Sequence, residues 1–137
     1  MKNIFVVILA VFLSACAGTE IYEQYSDEEL GDNGGATLYV FRPSKFAGSI
    51  IYTSIYVNDK KVAKIGFGGH LKLKIPTGNV KVAVTTSYID LTVTPGKSYY
   101  AEVTMPPQLW LVTPSFDIKV LGEKQGEILL KEHDGKI

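Results

Sequence analysis

Cysteine and histidine are scarce in this chain, whose 137 residues include one cysteine, Cys16, and two histidines, His70 and His133. One cysteine excludes an internal disulfide. The cysteine and the two histidines lie far apart in sequence and do not match the ligand spacing of a closed zinc site. The sequence has no nucleophile elbow, Ser-x-x-Lys motif, calcium loop or phosphate loop, and each of these would be needed for its own chemistry. We therefore expect a protein without catalytic residues, metal or cofactor.

Long apolar runs are also missing, with one exception at the start of the chain. Residues 4–13 are all apolar, but ten residues are too few for a bilayer that needs about twenty in a helix. A lysine precedes the run and small residues lead from it to the cysteine, as in a cleavable export signal with a lipobox. The sequence predicts a signal peptide over residues 1–15, a lipobox of Leu13, Ser14 and Ala15, and lipid attachment at Cys16. The alternative for this cysteine is an ordinary buried thiol.

The lipobox resembles that of bacterial lipoproteins. This resemblance implies a diacylglyceryl group and an amide-linked acyl chain on Cys16, and several chains together hold a protein firmly at a membrane. Ala17, rather than aspartate, follows the cysteine, which in enteric-type bacteria implies transfer to the outer membrane. We expect an envelope protein anchored in the outer membrane and facing the periplasm, a location that excludes nucleic acid as a partner.

A formal net charge of zero hides an uneven distribution along the chain. Residues 17–35 contain six acidic and no basic residues, whereas residues 36–137 contain thirteen basic and eight acidic residues. A short acidic stretch that ends in glycines is typical of a flexible spacer. We interpret residues 16–35 as a lipidated acidic flexible tether and residues 36–137 as one β-domain. The alternative is that Ile21, Tyr22 and Tyr25 dock, or form a short helix with residues 28–30.

From residue 36 onward, apolar residues alternate with polar ones at a period of two, as in half-buried strands. The clearest runs, residues 71–75 and 80–84, flank Pro76-Thr77-Gly78, and a second pair, residues 89–93 and 99–105, flanks Pro95-Gly96. We predict that both are hairpins, because proline and glycine favour tight turns. Further strands are predicted over residues 37–42, 50–57, 61–65 and 116–120.

The number and spacing of these strands predict an all-β fold, an antiparallel β-sandwich of seven to eight strands, with an eight-stranded barrel as the alternative. One helix is predicted near the C-terminus, over residues 123–133. We expect it to be a short lid that buries Ile128, Leu129 and Leu130.

Several stretches resemble, in order, a family of small bacterial lipoproteins known only as a domain of unknown function with a PEGA-like β-sandwich. They are ATLYVFRPS at 36–44, IYVNDKKVA at 55–63, GGH at 68–70, PTG at 76–78 and PGKSYY at 95–100. The resemblance implies a β-sandwich lipoprotein and brings no catalytic residues. One departure is Asn58-Asp59-Lys60, where the family pattern has Asp-Gly-Lys.

Two surface features are candidates for binding. His70, Lys72, Lys74 and Lys81 would share the outer side of the first predicted hairpin, forming a face for an anionic partner. The alternative is a solvated face whose lysines discourage edge pairing. Trp110 lies between prolines and is a candidate aromatic contact, although burial at one end of the core would account for it equally.

Together these features predict a lipid-anchored module that binds or scaffolds without catalysis. Its anchor at Cys16 makes the membrane its first partner. The second partner is either an envelope protein, reached by strand addition or through the lysines, or peptidoglycan or another glycan. The sequence does not predict the oligomeric state.

Overall fold

The computed structural model describes residues 19–22, 24–43, 52–66, 68–104 and 115–134. Within these ranges the chain forms nine strands and two helices. In chain order they are β1 (Thr19–Ile21), α1 (Asp27–Leu30), β2 (Ala36–Phe41), β3 (Thr53–Val57), β4 (Lys60–Ile65), β5 (His70–Ile75), β6 (Gly78–Ala83), β7 (Tyr88–Val93), β8 (Ser98–Thr104), β9 (Asp117–Leu121) and α2 (Glu123–Asp134).

The strands form two sheets packed face to face. One has the order β1-β4-β3-β6-β7 and the other has the order β5-β2-β8-β9. The predicted all-β sandwich is confirmed, with nine described strands instead of seven to eight. The pairing is also not wholly antiparallel, because β2 and β8 run side by side in the same direction, with Thr37 opposite Ser98.

The core lies between the two sheets and is built from the inward side of each strand. Its fully buried members include Leu38, Val40 and Ala101 from the four-stranded sheet and Ile55 and Val82 from the five-stranded sheet. Alternating side chains on a pleated strand point to opposite faces, so the period of two in the sequence places every second residue in this layer.

Both predicted hairpins are wrong. β5 and β6 belong to different sheets, and so do β7 and β8, so the Pro-Thr and Pro-Gly turns cross from one sheet to the other. The three Cα–Cα steps from Ile75 to Gly78 reach about 11 Å, which is enough for the separation of about 10 Å between packed sheets. A hairpin and a crossing turn both direct the apolar sides into the core, so alternation alone does not distinguish them.

A tight two-residue hairpin joins β3 to β4. Asn58 and Asp59 have φ values of 48° and 66°, and two-residue hairpin loops favour such left-handed residues, which asparagine and aspartate tolerate. Beyond the turn, Ile55 pairs with Ala63 but Tyr56 pairs with Lys61, so Val62 is the extra residue of a β-bulge.

The acidic segment is folded onto the domain over most of its length. β1 pairs with β4 from Thr19 opposite Ile65 to Ile21 opposite Ala63. The Tyr25 hydroxyl donates a hydrogen bond of 2.8 Å to the Val57 carbonyl. The predicted flexible tether is therefore wrong for the described residues from Thr19 onward, and the docking alternative is correct.

Short α1 owes its position to capping and to one buried side chain. The Ser26 side chain accepts from the Glu29 backbone N–H while the Glu29 carboxylate accepts from the Ser26 N–H, which is a capping box. Lys60 Nζ lies 3.2 Å from the Glu29 carboxylate. The hydrogen bond from Ser26 and then the contact with Lys60 lower the pKa of Glu29. Leu30 is 7% exposed and fastens the helix to the domain.

The two ends of the sandwich carry different parts of the chain. At one end, Thr19 and Thr53 both pair with Ile65, and Arg42 donates to the Ile65 carbonyl; we call this the Thr19 end. At the other lie α1, the β3–β4 turn and the two crossing turns; we call this the α1 end.

Helix α2 covers the outer side of the four-stranded sheet. Leu129 and Leu130 pack on a small cluster of Phe41, Tyr100 and Leu121. The predicted helix is confirmed and these two leucines are partly buried beneath it, but Ile128 is 58% exposed. Gly126 contacts the Tyr100 ring, and positions three and four residues later share its face of the helix whereas the position two residues later does not.

Leu30→Ala tests whether α1 is part of the folded domain. We expect it to lower the free energy of unfolding by about 2 kcal/mol, because the buried leucine leaves a cavity. Ile21→Ala is the control, since Ile21 is 43% exposed, and its effect should be much smaller. Urea unfolding of the two variants checks this, and equally small effects would contradict the docking of α1.

Gly126→Ala tests the contact between α2 and Tyr100. A Cβ at this position would overlap the Tyr100 ring, so we expect a loss of about 2 kcal/mol from overpacking. Alanine is intrinsically a better helix former than glycine by about 1 kcal/mol, so an uncovered helix would be stabilised instead. Thermal unfolding gives the sign, with Gln125→Ala, at an exposed position of the same helix, as the control.

Candidate functional site

Three tyrosine–lysine pairs lie on the outer side of the five-stranded sheet. Lys61 Nζ lies 4.9 Å from the centroid of Tyr22, Lys64 Nζ lies 4.7 Å from that of Tyr52, and Lys81 Nζ lies 5.1 Å from that of Tyr88. These six residues are called the Tyr–Lys face below. Their rings are 43%, 48% and 60% exposed, respectively. An ammonium over an aromatic ring is attracted by the quadrupole of the ring, so each lysine orders its tyrosine.

Strand geometry explains why residues distant in sequence meet on this face. The bulge at Val62 buries Val62 and Ala63 together, so Lys61 and Lys64 both point outward although they are three residues apart. β1 brings Tyr22 to the edge beside them, where its backbone N–H donates to the Val62 carbonyl. Tyr88 reaches the other side of the face through the pairing of β7 with β6.

Acidic groups offset the lysines of the Tyr–Lys face. Glu20 lies opposite Lys64 in the β1–β4 ladder and accepts a hydrogen bond of 3.4 Å from the Tyr22 hydroxyl. Asp59 lies 3.5 Å from Lys81 Nζ. The surface is consequently a mixture of aromatic rings and paired charges. Such a surface suits a partner with both polar groups and apolar faces better than a simple polyanion.

The lysine-rich face predicted from the sequence is not a single surface. His70, Lys72 and Lys74 lie on the outer side of β5 in the four-stranded sheet, whereas Lys81 lies on the other sheet. The prediction was wrong because it depended on β5 and β6 being hairpin partners. Lys74 Nζ donates a hydrogen bond of 3.2 Å to the Thr37 hydroxyl, so this lysine has a partner on its own sheet.

A groove of about 520 Å³ lies where α2 meets the four-stranded sheet. Tyr100, Leu121, Glu123 and Glu127 contribute to its walls. Burial raises the pKa of Tyr100, and the nearby Glu127 carboxylate raises it further, so the hydroxyl stays protonated. Tyr39 stacks on Tyr100 at 5.4 Å. These contacts join the helix to the sheet and account for the residues without a ligand.

Polar side chains close the Thr19 end between the two sheets. Arg42 is 3% exposed, donates 3.1 Å to the Ile65 carbonyl and lies over the Phe116 ring at 5.1 Å. Its burial lowers the pKa of Arg42. The Thr53 and Thr85 hydroxyls are 3.0 Å apart, and the Thr86 hydroxyl donates 2.8 Å to the Phe116 carbonyl. This end thus has a hydrogen-bonded polar rim.

Two further findings apply to the described part of the chain. It contains no group of three or more His, Cys, Asp or Glu side chains arranged to hold a metal ion. Neither of its helices combines the length and the apolar character that a membrane-spanning helix needs.

The residues predicted to carry function have different outcomes. Cys16, the lipobox residues Leu13, Ser14 and Ala15, and Trp110 lie outside the described residues. The Tyr–Lys face was not predicted as a site. Its signal in the sequence was weak, because Tyr22 follows a strand of only three residues and Tyr88 precedes a predicted run that was recognised only by its apolar side.

Comparison of the chain with protein-family models, with curated proteins and with solved structures found no match. The resemblance to small bacterial lipoproteins therefore stays a prediction from the sequence.

Proposed function

We propose that this protein is a lipid-anchored lipoprotein of the bacterial envelope, held at the outer membrane facing the periplasm, that binds or scaffolds a partner without catalysis. The observation that carries the proposal is the lipobox, Leu13-Ser14-Ala15-Cys16, directly after a single apolar run preceded by a lysine. A cleavable signal of this kind places the cysteine at the start of the mature chain.

The folded domain supports a binding role through its Tyr–Lys face. Its three aromatic rings and their paired charges resemble the aromatic anchors and polar rims of protein interfaces. Helix α2 packs on part of the opposite outer surface, whereas the three tyrosines of the Tyr–Lys face are exposed on the five-stranded sheet. An envelope protein docked on this sheet is the partner that we favour.

A glycan of the cell wall is the second candidate. The exposed rings of Tyr52 and Tyr88 favour it, because the negative face of an aromatic ring attracts the polarised C–H groups of a sugar. Lys61 and Lys64 would pair with the carboxylates of a peptidoglycan strand.

Cys16→Ser tests the anchor. We expect the unchanged protein to carry lipid on Cys16 and to sediment with membranes. We expect the variant to remain unmodified and to leave the membrane fraction, because it lacks the thiol that would carry the diacylglyceryl group. Intact-protein mass spectrometry and membrane fractionation measure both. Thr19→Ser, which keeps the cysteine, serves as the control. An unmodified Cys16 in the unchanged protein would contradict the proposal.

The double variant Tyr52→Ala/Tyr88→Ala separates the glycan candidate from the protein candidate. If the face binds peptidoglycan, we expect the affinity for isolated cell-wall sacculi to fall about tenfold, from the loss of about 1 kcal/mol or slightly more in ring contacts. Val120→Ala, at an exposed position on the other sheet, should leave cosedimentation unchanged. Unaltered binding by the double variant would exclude this face as the glycan site.

A further inference from the structure

The position of Thr19 determines which part of the domain lies near the proposed lipid. Thr19 is the first residue of β1 and lies three residues after Cys16. Three residues reach about 11 Å when fully extended. β4, which pairs with β1, has six residues and runs about 20 Å along the sandwich. A lipid on Cys16 therefore lies within reach of the Thr19 end and beyond reach of the α1 end.

The distribution of acidic groups favours the same orientation. Asp27, Glu28, Glu29 and Asp32 are exposed and belong to the α1 end, where Tyr25 bonds to Val57 and Glu29 contacts Lys60. Anionic headgroups repel these carboxylates, and electrostatic interactions are screened over about 8 Å at physiological salt. Separation by the length of a strand places them outside that range when the Thr19 end faces the bilayer.

The Thr19 end itself presents side chains that suit a membrane interface. Tyr52, which is 48% exposed, lies next to Thr53 at this end, with the Lys64 ammonium over its ring. Tyrosine and lysine combine an apolar body with a polar tip and are favoured at the level of lipid headgroups. Two acids, Glu20 and Asp117, are also exposed near this end. Glu20 lies opposite Lys64, so its charge is partly offset.

We infer that the Thr19 end, with Thr19, Tyr52 and Lys64 at its surface, rests on the headgroups of the phospholipid bilayer, so that the strands stand across the membrane plane and α1 points away from it. The inference rests on the proposed lipidation of Cys16. It defines a surface and a partner that the anchor alone does not, because a lipid on a long tether would leave the domain free to turn. In this orientation the other residues of the Tyr–Lys face, Tyr22, Lys61, Lys81 and Tyr88, lie along the side of the domain, accessible to a neighbour in the same membrane.

Short-range quenching from the bilayer surface tests the orientation. Asp117 and Asp32 are both exposed aspartates, and they lie at the Thr19 end and the α1 end, respectively. Asp117→Cys and Asp32→Cys in the full lipidated protein are labelled with a bimane fluorophore and placed in phosphatidylethanolamine–phosphatidylglycerol vesicles with nitroxide on the headgroups. We expect loss of fluorescence at position 117 and retained fluorescence at position 32. Vesicles without nitroxide provide the baseline for each.

A second pair of cysteine variants keeps the test available if Asp117→Cys or Asp32→Cys does not fold. Tyr52→Cys and Thr94→Cys place the label at the Thr19 end and the α1 end of the five-stranded sheet, and we expect the same contrast. Circular dichroism identifies variants that have folded, and the contrast is scored on folded pairs. Equal quenching at both ends, or stronger quenching at the α1 end, would overturn the inference.

The protein without an introduced cysteine separates the two proposals. If Cys16 carries lipid, this protein takes up no label, since it has no other thiol. Labelling of the unchanged protein would overturn the lipid anchor and the orientation together. Absence of labelling combined with equal quenching at both ends would overturn the orientation alone and leave the anchor in place.

Discussion

The burial of two apolar sheet faces against each other is the interaction on which this fold depends. Leu38 and Ala101 on one sheet and Ile55 and Val82 on the other are all removed from water, and such burial stabilises a protein by about 25 cal/mol per Å² of apolar surface. Everything with functional interest is attached to the outside of this layer. The lysines beside the bulge in β4 and the helix on the four-stranded sheet lie on the outward sides of the strands. The polar rim closes the core at the Thr19 end.

Much of the architecture could be predicted because the period of two in the sequence reports directly on burial. Strands β2 to β9 and the sandwich follow from it. Strand partners could not be predicted in the same way: Leu73 and Val80 face the core whether their strands pair in one sheet or face each other across two. This ambiguity produced both wrong hairpins, and with them the single lysine face that placed Lys72 and Lys81 together.

The wrong prediction of a flexible tether has a different cause, the local composition of the acidic segment. Its charge density is typical of a spacer, yet one leucine, one tyrosine hydroxyl and three backbone pairs fold it onto the domain. Such contacts are few and their partners, among them Val57 and Ile65, lie far away in sequence, so no short window contains the signal. The Tyr–Lys face was not predicted for the same reason, since it is assembled from β4, β6, the first residue of β7 and the residues that follow β1 and precede β3.

Strand β1 also determines how the domain responds to mechanical load. Any force that enters the chain upstream of Thr19 acts first on the three residue pairs that hold β1 to β4. Release of residues 19–30 would add about 40 Å of extended chain while the other four strands of that sheet and the whole of the second sheet keep their pairing. Residues 19–30 therefore form an extensible link. The chain lengthens by this distance before the load reaches the core.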